Sequence, residues 1–195
     1  MELKKSIFII IVVVATIYGL KYTQDTKFED SEIASFEYVD WQTKTFDDIG
    51  IEVELPFEME AMKIDLPPAL RENIKEMINY NFNSTPVSLF ISRLVANDGI
   101  SGDLDKAAEG AIAEFSETQD MSDLVYTVSE IYEQDMNGRR VDGTFQMKGR
   151  PAEITAKIFS SGTRLYQIVL LKMSHQENME VADKIFNSLN INKWK

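Results

Sequence analysis

Between Arg139 and Met173 the chain repeats one pattern three times, and that repetition commits it to an antiparallel sheet. Val141, Gly143, Phe145 and Met147 alternate with Arg140, Asp142, Thr144 and Gln146, the period of two that leaves one face of a strand dry and the other wet. Ala152, Ile154, Ala156 and Ile158 repeat it. Lys148-Gly149-Arg150 and Ser161-Gly162-Thr163 each put a glycine where a tight turn needs a positive φ, so neighbouring segments pair in chain order. The third segment, Leu165 to Leu171, differs: Tyr166, Ile168 and Leu170 face one way, and Leu165, Val169 and Leu171 the other. A strand apolar on both faces needs cover on both.

Two amphipathic helices supply that cover. The first spans about Leu104 to Ser116, with Leu104, Ala108, Ala111, Ile112 and Phe115 in one stripe and Asp103 placed to cap it. The second spans about His175 to Leu189 behind Ser174-His175-Gln176-Glu177, a capping box, and its stripe is Met179, Ala182, Ile185, Phe186 and Leu189. The expected class is therefore α+β: a central antiparallel sheet with a C-terminal three-stranded meander, flanked by helices.

Upstream the pattern is less regular. Trp41 to Phe46 and Gly50 to Leu55 read as a hairpin, with Ile51, Val53 and Leu55 alternating against Glu52 and Glu54 until Pro56. Leu70, Ile74, Met77 and Ile78 have helical spacing behind Pro67-Pro68, while Ile78 to Phe82 alternates, so a short helix giving way to a strand is expected. Val87 to Ala96 is a firmer strand, and Asn97-Asp98-Gly99 turns the chain toward the first helix. A strand from about Leu124 to Glu133 follows, and Asn137-Gly138 is expected to turn it into the meander.

The N-terminus speaks of an address. Lys4 and Lys5 precede an uninterrupted apolar or neutral run from Ser6 to Leu20, about 22 Å of helix at 1.5 Å per residue and short of a hydrocarbon core about 30 Å thick. Residues 1–22 read as a signal peptide or membrane anchor. Ile17-Tyr18-Gly19 is a poor cleavage triplet, so a retained anchor with the remainder outside the cytoplasm is preferred to cleavage and secretion. Residues 23–40 are polar and acidic and suit a tether, leaving 41–195 as one domain. A hydrophobic content of 44% with 27% charged residues is that of a globular chain rather than a disordered one.

Composition excludes more chemistry than it suggests. There is no cysteine, which removes disulfides, thiol nucleophiles and thiolate metal sites. The single histidine, His175, sits in the first turn of a helix, where capping or surface duty is the simpler reading. No G-x-S-x-G elbow or Walker loop occurs. Asp98, Asp103 and Asp105 lie around Asn97, Gly99 and Gly102, an oxygen-rich turn of the kind that holds calcium in some proteins, although its spacing is not that of an EF-hand. Glu52 and Glu54 point to the wet face of a strand. Arg139 and Arg140 form a basic pair suited to an anionic ligand or a partner's carboxylate, or more simply to guarding an edge strand. Beyond residue 22 there remain 17 basic and 31 acidic residues, a net charge of −14 that repels nucleic acid and anionic lipid.

From Trp41 to Lys193 the chain resembles the PsbP-like superfamily, and within it the DcrB type of bacterial exported protein. The resemblance is carried by Ile51-Glu52-Val53-Glu54-Leu55-Pro56, by Asp103-Leu104-Asp105-Lys106-Ala107-Ala108, by Gly138 to Phe145, by Leu165-Tyr166-Gln167-Ile168-Val169 and by Ile185-Phe186-Asn187-Ser188-Leu189. It implies an α/β/α sandwich and no catalytic motif. Its members serve as accessory, assembly or docking subunits in photosystem II, in nuclear import or at the bacterial envelope. Lipoprotein members carry an N-terminal cysteine that this chain lacks, so lipid attachment does not follow. The expectation is a non-enzymatic extracytoplasmic module, without cofactor, that binds another envelope protein through a face or edge of its sheet. A small-ligand or calcium-binding envelope protein is the alternative. No catalytic, binding or metal residue is assigned.

Overall fold

The computed structural model describes residues 40–66, 71–83, 87–100, 103–117, 121–174 and 176–192. The proposed signal or anchor and all but the last residue of the tether therefore lie outside the described residues, as do His175, Pro67, Pro68, Leu70 and Gly102. Strands β1 (Gln42–Phe46), β2 (Ile51–Leu55) and β3 (Glu60–Met62) come first, then β4 (Ile74–Asn83) and β5 (Val87–Ala96). Helix α1 (Leu104–Glu117) leads to β6 (Met121–Glu133), β7 (Met136–Met147), β8 (Arg150–Ser161) and β9 (Arg164–Met173). Helix α2 (Gln176–Ser188) and the short β10 (Asn190–Ile191) close the chain.

The main sheet has seven antiparallel strands in the order β3-β4-β5-β9-β8-β7-β6, and a small sheet has the order β1-β2-β10. The expected meander is present as β7-β8-β9, and β6 extends it. Gly149 and Gly162 take φ of 75° and 64° at its turns, as the sequence requires. Because side chains alternate, each strand feeds two cores. Val141, Phe145, Ile154, Ile158, Val169 and Phe90 pack on the α1 side with Ala107, Ala108 and Ile112. Phe159, Tyr166, Ile168, Leu170, Leu89 and Ile91 pack on the other side with Ile51, Val53, Leu55, Val181, Ile185 and Phe186. Strand β9 supplies both cores, as its two-sided apolar pattern demands. Each buried valine, leucine, isoleucine or phenylalanine among them stabilises the fold by roughly 1.5 to 3 kcal/mol. The side chains of Ala111, Phe115 and Met179, expected in the helix stripes, lie outside the description.

The sandwich expectation needs correcting. Strand makes up most of the described chain, and the second layer is not a helix alone. The β1–β2 hairpin joins β10 through Glu52 and Ile51, and this small sheet shares the cover of one face with α2. Ser188 Oγ accepts from the Glu54 amide at 2.9 Å, and Lys184 lies 4.1 Å from the centre of the Trp41 ring.

Two local expectations also change. The short helix expected to run to about Ile78 ends by Arg71 among the described residues, and the chain is strand from Ile74 onward. Ile74 pairs with Ala96 and Glu76 with Val95, leaving Lys75 as an extra residue. This bulge turns Ile74 and Met77, three apart, to the same face, so a bulged strand imitates helical spacing. The turn expected at Asn137-Gly138 lies instead at Gln134 and Asp135, with φ of 54° and 57°. Gly138 is inside β7 because a Cβ there would stand 2.7 Å from the Ile158 carbonyl oxygen and 2.8 Å from the Phe159 ring. The Gln134 side chain fixes the turn to the C-terminus: its Nε2 donates to the Leu189 carbonyl at 2.7 Å and its Oε1 accepts from the Ile191 amide at 2.5 Å.

Candidate functional site

Strand β6 closes the main sheet and, among the described residues, pairs on one side only, with β7. Its register places Tyr126, Val128, Glu130 and Tyr132 on the α1 face and Val125, Thr127, Ser129 and Ile131 on the other. Four of these are large apolar side chains open to solvent: Val125 is 69% exposed, Tyr132 68%, Tyr126 44% and Val128 39%. Val125 stands on one face and Tyr126, Val128 and Tyr132 on the other, so both faces of this edge carry exposed apolar side chains, and among the described residues no strand pairs with its outer side. Edge strands are ordinarily blunted by lysine, proline, short length or bulges. Strand β6 has thirteen residues, no proline and no basic side chain. Its one interruption is a bulge between Ser122 and Val125, with Asp123 at a φ of 57°. The opposite edge, β3, has only three residues.

Charge around this border is ordered from behind. Arg139 donates to Asp105 Oδ1 at 2.5 Å and lies 3.3 Å from Glu130, so one guanidinium ties α1 to β7 and β6. That hydrogen bond holds the Asp105 carboxyl below the usual carboxylate range. On the opposite face Arg140 grips Asp142 through two bonds of 2.7 and 2.9 Å, which raise the guanidinium's affinity for its proton. Thr155 donates to the same carboxylate at 3.2 Å. Lys157, itself buried, reaches Glu133 at 2.6 Å, and Lys172 reaches Glu153 at 2.8 Å. A buried ammonium needs such a partner, since desolvation without one is costly.

The sequence candidates are dispersed. Arg139 and Arg140 project to opposite faces of an internal strand, each matched to carboxylates, so they form neither a joint anion site nor an edge guard. Asp103 caps α1, its Oδ1 accepting from the Lys106 amide at 3.3 Å, and Asp105 belongs to Arg139. Asp98 lies in the turn before α1. Among the described residues no three acidic or histidine side chains gather as a metal site. Glu52 is exposed on β2, and Glu54 lies 3.7 Å from Lys184. A concavity of about 600 Å³ opens at the β3–β4 edge, lined by Glu58, Glu60, Met62, Lys63, Asn81 and Phe82. It holds no nucleophile–base pair. Nearby Tyr80 donates to Asp48 at 2.7 Å, and burial together with that bond pushes its hydroxyl up to about 12.

The β6 border escapes a reading by periodicity, because apolar residues on both faces are also the mark of a buried central strand. The available signal was position. Strand β6 opens the meander, and the strands before α1 pair elsewhere.

No family model matches the sequence, and no curated protein matches it. The fold does match a solved one. The solution structure of cyanobacterial PsbP (CyanoP) from Synechocystis sp. PCC 6803 aligns with a TM-score of 0.54 at 9% identity, covering 87% of this chain and 99% of that one. The chain therefore has a PsbP-like fold. LpqN, involved in cell envelope biogenesis of Mycobacterium tuberculosis, aligns at 0.45 and 12% identity over 89% and 96% of the two chains. The Saccharomyces cerevisiae Ran-binding protein Mog1p aligns at 0.44 and 9% identity over 78% and 96%. The fold assignment rests on the first of these alone. Among the described residues no helix is long and apolar enough to cross a membrane.

Proposed function

We propose that this chain is a non-enzymatic docking module of the bacterial cell envelope, of the DcrB type, held outside the cytoplasm by its N-terminal segment. It binds another envelope protein along β6. The observation that carries this reading is the thirteen-residue edge with Val125, Tyr126, Val128 and Tyr132 exposed along a side that no strand among the described residues pairs with. Strand addition to such an edge uses main-chain hydrogen bonds for affinity and alternate side chains for specificity. The ion pairs Arg139–Asp105, Arg140–Asp142, Lys157–Glu133 and Lys172–Glu153 support a non-catalytic reading, because each of these carboxylates is matched to a cation. The Ser6 to Leu20 run supports the location.

The test is position-specific photocrosslinking in intact membranes, with the photoreactive residue at Tyr132 and, as control, at Ala61 on the β3 edge. A discrete adduct from Tyr132, absent from Ala61 and abolished by Val125→Lys, is the expected result. Equal labelling from both edges, or no adduct from Tyr132, would overturn the reading.

A further inference from the structure

We infer that the occupant of the β6 edge is an extended, positively charged segment of another protein, which adds as an eighth strand with its apolar side chains in line with Tyr126, Val128 and Tyr132. The inference rests on the docking reading above and adds the partner's chemistry. Three observations carry it. The first is shape: thirteen residues of strand with one open side match an extended peptide, not a globular surface. The second is the division of faces. The α1 side offers two tyrosines and a valine, while the other side offers Thr127 and Ser129 between Val125 and Ile131, so an alternating sequence fits both.

The third observation is charge. Helix α1 and β6 together carry seven acidic residues against one lysine, and β6 has no basic residue of its own. Arg139 is shared between Asp105 and Glu130, and Lys157 holds Glu133. With Lys106, these cations face the described carboxylates Asp105, Glu109, Asp123, Glu130 and Glu133, which leaves a net of two negative charges along the border. The same excess opposes a second copy of this chain. A cationic strand meets complementary charge instead, which steers encounter as well as register.

The experiment uses the full chain in detergent and two synthetic peptides, one alternating valine with lysine and the other valine with glutamate. Hydrogen exchange of the β6 amides and the dissociation constant are read for each. The lysine peptide is expected to slow exchange in β6 and to bind at least about tenfold more tightly than the glutamate peptide, by a margin that shrinks as salt is added. Tyr132→Lys is expected to weaken that binding while the melting midpoint holds. Equal binding of the two peptides would overturn the choice of a cationic partner and leave the docking edge standing on its crosslinks. Failure of both to protect β6 would overturn strand addition by such a segment, whatever Tyr132 labels in membranes. A dimer of the chain that Val125→Lys dissolves would overturn it in favour of a second copy.

Discussion

Strand β9 runs ten residues, nine of them buried, whereas β6 runs thirteen, nine of them exposed. Both are apolar on both faces. Strand β9 lies between β5 and β8, with α1-side residues above it and α2 with the small sheet below, so Tyr166, Ile168 and Leu170 close one core and Leu165, Val169 and Leu171 the other. Among the described residues, strand β6 has a neighbouring strand on one side alone, and only Met121, Leu124 and Ile131 of its side chains pack against those cores. Hydrophobic pattern therefore states that a surface needs covering, and topology decides whether the chain covers it. Where the described chain does not, apolar side chains stay exposed, as along β6.

That contrast gives a graded series of substitutions. Ile168→Ala, at the centre of β9 and fully buried, is expected to cost about 3 to 4 kcal/mol in denaturant unfolding. A loss below 1 kcal/mol would break the claim that β9 holds the cores together. Gly138→Ala lies between the two strands. Its new methyl meets the Ile158 carbonyl and the Phe159 ring, for an expected loss of about 1 to 3 kcal/mol. Asp103→Ala removes the cap of the helix over β6 to β8, and calorimetry should read about 1 kcal/mol.

The smallest effect is electrostatic. The Asp105 carboxyl is held below its unfolded value by Arg139, so its contribution is complete above the ordinary carboxylate range and is lost as the pH falls through the depressed one. The midpoint difference between the native chain and Asp105→Asn should be constant near neutrality and vanish on acidification. A difference that instead grows toward low pH would reverse the assigned sign.

The sequence discloses the parts of this fold that depend on local alternation and turn chemistry. The β7-β8-β9 meander, the β1–β2 hairpin, β5 and both helices are legible because Gly149, Gly162, Asp103 and the apolar periods act within a few residues of themselves. What it hides depends on distant partners. The pairing of Asn190–Ile191 with β2 joins opposite ends of the domain, and no local period announces it. The bulge at Lys75 makes strand spacing look helical, and the real turn at Gln134-Asp135 uses non-glycine residues at positive φ, held by bonds to Leu189 and Ile191. The buried ammonium groups of Lys157 and Lys172 read as surface charges until Glu133 and Glu153 are seen beside them. The candidate site fails to show for the same reason: Val125 and Tyr132 differ from Val169 and Tyr166 only in what lies next to them.

The most direct measurement takes the double variant Val125→Lys with Tyr132→Lys, which gives β6 the guards that edge strands ordinarily carry, and reads thermal midpoint and membrane crosslinking on the same preparation, with the photoreactive residue at Thr127. The expected result is a midpoint within about 2 °C of the native chain, as for surface substitutions, together with loss of the adduct. A midpoint lowered as far as by Ile168→Ala, or an adduct that persists, would contradict the division between a strand that closes the fold and a strand that receives a partner.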